Sequence, residues 1–323
     1  MRILAVDDDP FILELLPMIA AKARFTDVTT TSSGELALEA ITSSTEAFEC
    51  LLFDINMPNM DGMELCARTR LIPAYRRTPI IMLTAMSEKD YLDNAFKAGA
   101  TDYATKPFNI ADLGARLRTA QELIRLRRDA GIAAMATTAM HPAAADTQMF
   151  DLCDAIQIET AADLIDYAAL ANYLAQKSRS GVGASQVIAV QIDRVGVICS
   201  RASVKEFNSA LAEVADAADE TLRASGYLMA YAGRGIFIIV TNATTSFSGL
   251  EIETTVQSLL DNKNLEYDSG DPLDIEVSIG NPIQLNVGSL DDVTLTFEQA
   301  IALAEYRFAA KRTGPRPLNI RMP

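Results

Sequence analysis

Three consecutive aspartates, Asp7, Asp8 and Asp9, follow the short apolar run "RILAV", and a fourth, Asp54, sits at the end of "CLLFDI". Carboxylates brought close together are costly unless a cation sits among them. Hard oxygen ligands with room for waters suit Mg²⁺. Beside such an ion a carboxylate can attack a phosphoryl group and become an acyl phosphate. Alone, "DDDP" reads as well as a solvated charge run that caps a helix. Two more polar residues at the ends of expected strands favour the chemical reading: Thr84 closes the fourth, "PIIMLT", and Lys106, followed by Pro107, closes the fifth, "DYAT". A lysine there can pair with carboxylate or phosphoryl oxygens, and a threonine hydroxyl can donate to one.

The elements that would position these groups alternate strand and helix patterns over residues 1–125. "RILAV" precedes "FILELLPMIAAKA", "DVTTT" precedes "GELALEAI", and "CLLFDI" precedes "GMELCARTR". "PIIMLTA" then precedes "EKDYLDNAFKAGA", and "DYATKP" precedes "ADLGARLRTAQELIRL". Five such units predict a doubly wound, five-stranded parallel sheet, with ligands beyond the carboxyl ends of the central strands. The last helix is expected to reach about Arg128, its stripe Leu113, Leu117, Ala120 and Ile124 packing on the sheet. A short dimerising extension is the alternative. Residues 126–149 read as a helix end followed by an Ala- and Thr-rich linker, which holds the single histidine, His141.

The set "VDDDP", "DINMPNMDG", "LTA" and "YATKPF" resembles the receiver domain of two-component response regulators, a flavodoxin-like fold. The resemblance implies that Asp54 is the phosphoacceptor. Asp8 would be a direct Mg²⁺ ligand, Asp7 its partner through water, and Asn56 would offer its backbone carbonyl. Thr84 and Lys106 would hold the phosphoryl oxygens, Tyr103 would be the aromatic switch, and Asp9 a flanking residue. The implied partners are a histidine kinase or phosphotransferase, and a homodimer would be in keeping with the long last helix.

From 150 to 323 the pattern changes. A helix over "ETAADLIDYAALANYLAQKS" leads to a strand "VIAVQID", then a helix from about Val204 to Ala224. The hairpin "YLMAYAGRGIFIIV" follows, then a helix near "EIETTVQSLLDN", a strand "DIEVSIG" and a final helix "FEQAIALAEYRFAAKR". Strands joined by a short turn pair antiparallel, so this is a second, mixed sheet. "VIAVQID", the hairpin, "VSIG" and "AEYRFAAKRTG" resemble the GGDEF domain of diguanylate cyclases, which would place "VIAVQI", "IFIIV" and "DIEVSI" in one sheet. The family's chemistry does not carry over. Aligned on Phe237, Arg234 follows Gly233 where the second glycine belongs, Gly235 stands at a metal-binding acid and Ile236 at the last acid. Gln191 replaces the first of the upstream acid pair and only Asp193 remains; an amide is a poorer Mg²⁺ ligand than a carboxylate. Cys199 and Asn208 fall at the guanine-contacting positions. The inhibitory cyclic di-GMP site would need Arg and Asp where Ala224 and Tyr227 stand, with Arg223 out of register. The expected output domain is therefore inactive, with no nucleotide cofactor.

At 323 residues, 49% hydrophobic and 22% charged, the chain has room for about two globular domains. A net charge of −15 repels phosphate backbones and anionic lipids, which argues against a DNA-binding output. Cys50, Cys66, Cys153 and Cys199 lack paired metal spacing and read as buried thiols of a reducing compartment. No signal peptide or membrane-length apolar stretch is evident, so a soluble cytoplasmic protein without membrane insertion is expected. The leading expectation is a non-enzymatic signalling protein whose second domain acts on a protein partner. A cyclase with displaced ligands, a GTP or cyclic di-GMP receptor in which Arg234 meets an anion, and a phosphate sink in a relay stay open.

Overall fold

The structure, a computed structural model, describes residues 1–85, 89–139, 158, 164–179, 185–242, 248–285 and 290–313. It divides into two compact units, Met1–Gln148 and Met149–Pro323. His141 and Cys153 lie outside the described residues, as do residues 140–149 of the stretch read as a linker.

The first unit alternates β1 (Ile3–Val6), α1 (Pro10–Lys22), β2 (Val28–Thr31), α2 (Gly34–Ser43), β3 (Cys50–Asp54), α3 (Gly62–Arg70), β4 (Ile80–Thr84), α4 (Lys89–Lys97), β5 (Asp102–Thr105) and α5 (Ile110–Ala139). All four strand pairings are parallel, in the order β2-β1-β3-β4-β5, the flavodoxin-like arrangement. Strands covered by helices on both faces need apolar residues throughout, and β1, β3 and β4 are buried along their whole length. β2, at the sheet edge, carries "VTTT" and keeps two residues exposed. On one face Leu16, Ile19 and Ala20 of α1 meet Leu113, Leu117 and Ala120 of α5 over Ile3, Ala5, Leu52 and Leu83, as expected of the last helix except that Ile124, half-buried, is not part of this core. That helix differs from expectation in length: it passes Arg128 and continues to Ala139. The added segment, "DAGIAAMATTA", lacks an apolar stripe but is rich in alanine, the strongest helix former.

The second unit contains β6 (Leu164–Ile165), α6 (Tyr167–Arg179), β7 (Ser185–Ile192), α7 (Val195–Arg201), α8 (Val204–Leu222), β8 (Tyr227–Gly233), β9 (Ile236–Asn242), α9 (Gly249–Asp261), β10 (Val277–Ile279), β11 (Ile283–Leu285) and α10 (Leu290–Thr313). Its mixed sheet runs β10-β7-β9-β8-β6, with β11 also on β7. From β7 to β10 the principal elements follow a βαββαβ order, the split-βαβ plan. Ile188, Val190 and Ile192 face Phe207, Leu211 and Val214 of α8 and Ile252, Val256 and Leu260 of α9. Ser203 and Ser248 start α8 and α9 with reciprocal capping boxes to Glu206 and Glu251.

Three local expectations change here. "ETAADLIDYAALANYLAQKS" is not one helix, because Asp166 accepts from the amides of Ala168 and Ala169 and restarts the chain after the two-residue strand β6. The helix expected to reach Ala224 ends at Leu222, and a 3₁₀ turn, Arg223–Ser225, carries the chain to Gly226 at φ 64°. Beyond "VSI", a second short strand, β11, pairs farther along β7. Among the described residues no helix is long and apolar enough to cross a membrane.

Candidate functional site

Strand order places the acids of the first unit. After β1 the chain turns outward to β2, then crosses back to β3 on the other side of β1. The loops leaving β1 and β3 therefore diverge and open a crevice at their carboxyl ends. The register aligns Val6 with Phe53, which sets Asp7 level with Asp54. Asp7, Asp8 and Asp54 bring carboxylate oxygens within 4.8 Å of one another, and among the described residues they form the acidic group compact enough to hold a cation. Asp7 and Asp54 are buried while Asp8 is exposed, so the cluster has a floor and a mouth.

Lys106 leaves β5 and bridges the floor, its Nζ 2.7 Å from Asp7 Oδ2 and 2.8 Å from Asp54 Oδ1. One ammonium cannot balance three carboxylates. Burial pushes the Asp54 carboxyl up to about 6 against the pull of Lys106, with Asp7 and Asp8 adding to the rise. Burial also opposes the charge on Lys106, but Asp54 and Asp7 outweigh it and hold the lysine above its ordinary value. This surplus of hard oxygen donors is compatible with Mg²⁺.

The remaining receiver-like residues surround this cluster. Asp9 caps α1 by accepting from the Phe11 amide, and its own amide donates to Asp7 Oδ1, so it orients the pocket from outside. Asn56 is exposed two residues beyond Asp54. The loop folds back so closely that a Cβ at Gly62 would lie 2.1 Å from the Asp54 carbonyl oxygen. Thr84 is buried at the end of β4. The Tyr103 ring is buried at 8% exposure, 6.3 Å from Phe96 and with the Arg116 guanidinium 5.6 Å away.

In the second unit the hairpin answers a question of turn geometry. Gly233, Arg234 and Gly235 all have positive φ, at 89°, 53° and 72°. Gly233 pairs with Ile236 past a register shift, leaving Arg234 and Gly235 as a two-residue connection with the positive φ of a type I′ hairpin turn. A Cβ at Gly235 would lie 2.7 Å from Val195 Cγ2, so protein fills the space beside this glycine. Its amide donates to the Tyr231 hydroxyl at 3.0 Å.

Asp193 is buried and accepts from the Ser278 hydroxyl at 3.0 Å through Oδ2, while its Oδ1 and the side-chain oxygens of Gln191 and Asn208 have no hydrogen-bond partner among the described residues. Burial raises the Asp193 carboxyl above its ordinary value. Lys311 stands 3.6 Å from Asp193 and 3.2 Å from Glu253, and also donates to the Val277 carbonyl. Arg307 grips both oxygens of Glu253 at 2.8–3.2 Å, and the Ile279 amide donates to the same carboxylate at 3.0 Å. Burial disfavours the Glu253 charge, yet these donors hold its carboxyl below the ordinary range. A cleft of about 1400 Å³ is lined by this network together with Arg194, Gln257, Glu276 and Phe308. Cys199 is half-buried rather than buried. Arg223 and the Tyr227 hydroxyl both engage Asp219.

Sequence reasoning missed Glu253, Arg307 and Ser278. A helical spacing of four between Arg307 and Lys311 was visible, but their carboxylate partner comes from a helix far away in the chain.

Residues 3–118 match the response regulator receiver domain family. The first unit is therefore a receiver domain. The chain is 37% identical over 113 residues to the two-component response regulator ARR10 of Arabidopsis thaliana, a match covering 35% of this chain and 20% of that protein. It is 36% identical over 113 residues to ARR12 of the same plant, covering 35% and 18%. The chain spans about a fifth of the length of these curated relatives. Among solved structures, the chemotaxis protein CheY4 of Vibrio cholerae shares 32% identity over 38% of this chain and 97% of its own, with a TM-score of 0.34.

Proposed function

We propose that this protein is a phosphorelay response regulator that accepts a phosphoryl group on Asp54 from a histidine kinase or phosphotransferase. The observation that carries this reading is Lys106 bridging Asp7 and Asp54 beside the exposed Asp8. Lys106 holds Oδ1 of Asp54, which leaves Oδ2 as the attacking oxygen. With its carboxyl near 6, Asp54 is mostly ionised at neutral pH. Attack forms a P–O bond as the donor's P–N bond breaks, and the donor imidazole takes back the electron pair and a proton. Bound at Asp7, Asp8, Asp54 and the Asn56 carbonyl, Mg²⁺ would neutralise the charge that gathers on carboxylate and phosphoryl oxygens. Thr84 and Lys106 would then hold the new phosphoryl oxygens, and Tyr103 would respond to their positions. Incubation with acetyl phosphate and Mg²⁺ should label the protein, and Asp54→Asn should abolish the label. Undiminished labelling of the variant would refute the assignment.

The second unit, on this reading, is a degenerate GGDEF-like domain that works by protein contact. Supporting it are one sheet joining "VIAVQI", "IFIIV" and "DIEVSI", a hairpin turn packed by Val195, and a lysine-arginine pair already matched by buried carboxylates. With Mg²⁺ and GTP the protein should form no cyclic di-GMP; product that disappears in Asp193→Ala would make it a cyclase. The unpartnered Asp193 Oδ1 beside the cleft favours a second reading, in which this unit binds a nucleotide without turning it over.

A further inference from the structure

Among the described residues β5 is an edge strand of its sheet, paired with β4 on one side. The side chain of the preceding residue caps the Tyr103 amide: Asp102 Oδ1 accepts from it at 2.8 Å. The same oxygen accepts from Arg116 Nη1 at 2.7 Å, and Arg116 Nε binds Asp112 Oδ2 at 3.0 Å. Both sides of this pair are shielded, with the Arg116 and Asp102 side chains 14% and 10% exposed. The guanidinium so fixed lies 5.6 Å from the centre of the Tyr103 ring, and Phe96 of α4 meets that ring edge-on at 6.3 Å. Backbone amide, carboxylate, guanidinium and ring thus form a closed loop of contacts around one residue.

None of these contacts involves Asp54, Lys106 or Thr84. We propose that the buried place of Tyr103 is the one phosphorylation selects, and that Arg116 is a positioning residue holding the ring there and so setting how readily the receiver responds to phosphorylation. The inference rests on the reading that Tyr103 responds to the state of Asp54. A cation held over an aromatic face by a shielded carboxylate favours that one ring position over others. A ligand at Asp54 shifts the ring only through the difference between its affinities for the two positions, so a bias built in by Arg116 changes the ligand concentration required.

The test uses the full chain labelled with 3-fluorotyrosine, Tyr103→Phe assigning one resonance among the nine tyrosines. Beryllofluoride with Mg²⁺ serves as the phosphoryl mimic. Asp102→Asn/Arg116→Gln removes the cation without stranding a buried charge and leaves a carboxamide oxygen to cap the Tyr103 amide. In this variant the free Tyr103 resonance should move away from its beryllofluoride-saturated position. Half-saturation should need about five- to tenfold more beryllofluoride, the size of one partly shielded cation–π contact. Arg116→Lys, which keeps the charge, should fall between the variant and the wild type. A wild-type resonance that responds to beryllofluoride, with both variants responding identically, would overturn the role of Arg116. A wild-type resonance that does not respond would overturn the switch itself and this inference with it.

Discussion

Each unit buries carboxylates around a lysine, and the two clusters differ in how far their charge is matched. In the receiver domain, Lys106 pairs with Asp7 and Asp54 of the cluster that also holds Asp8, and Asp54 is pushed up to about 6. In the second unit, Asp193 and Glu253 meet two cations, Lys311 and Arg307, and Glu253 is held below its ordinary value, although burial still raises Asp193. A cluster short of positive charge is costly as it stands and gains by taking up a cation. A matched cluster gains nothing from a ligand that would have to displace its own ion pairs. Charge balance, rather than the presence of acids and a lysine, separates a reaction site from a staple.

The comparison breaks most visibly at Glu253. Glu253→Ala would strand Arg307 and Lys311 and leave the Ile279 amide without its acceptor. Losing one partner of a shielded ion-pair network should destabilise the second unit by about 3–5 kcal/mol. Hydrogen exchange of the β7 and β10 amides would report it, with β1 and β3 protection and acetyl phosphate labelling unchanged.

Gly62→Ala tests the other cluster through its backbone. The new Cβ would collide with the Asp54 carbonyl, so the loop must shift, at about 2–3 kcal/mol. Phosphoryl labelling should fall with receiver stability, both followed on the same preparation.

Asp54 offers a pH test in chelator. Its folded carboxyl, near 6, lies above the ordinary 3.8, so the penalty for its ionised form is absent below 3.8 and complete above 6. The receiver should therefore gain stability from this group as pH falls from 7 towards 4. Asp54→Asn should be more stable than wild type by on the order of 2 kcal/mol at pH 7, the difference vanishing near pH 4. Urea unfolding of receiver signals at several pH values would show whether it does.

The smallest effect is expected at Asp9. Removing the cap in Asp9→Ala should lower receiver stability by about 1 kcal/mol and leave Mg²⁺-dependent labelling in place, because Asp9 binds the Phe11 amide rather than lying in the acidic cluster.

Most of the receiver was legible in the sequence, and particular residues explain why. Strands buried on both faces must be continuous apolar runs, so "ILAV", "CLLFD" and "IIMLT" announce themselves, and the polar residue ending each is conspicuous. Asp7, Asp54 and Thr84 were found that way, whereas Lys106 follows the more polar "DYAT" and was found from its place at the end of the fifth unit's strand. The Arg116–Asp102–Tyr103 loop was not, since a salt bridge between a strand and the next helix leaves no periodic trace. In the second unit the hairpin and long helices were visible, but β6 is too short to carry a pattern and Asp166 interrupts an otherwise helical stretch. The Glu253–Arg307 pair joins residues 54 apart, and Glu253 sits in "EIETT" beside Glu251, whose capping role is equally acidic on paper.

The most direct test of the contrast between the clusters is one calorimetric titration of Mg²⁺ and GTP into the full chain already loaded with beryllofluoride at Asp54. A receiver set in its phosphorylated form and a second unit whose Lys311 and Arg307 are matched by Asp193 and Glu253 should together give no saturable heat at high micromolar GTP. Saturable binding that is lost in Lys311→Met would contradict the staple, and would make the second unit a nucleotide receptor.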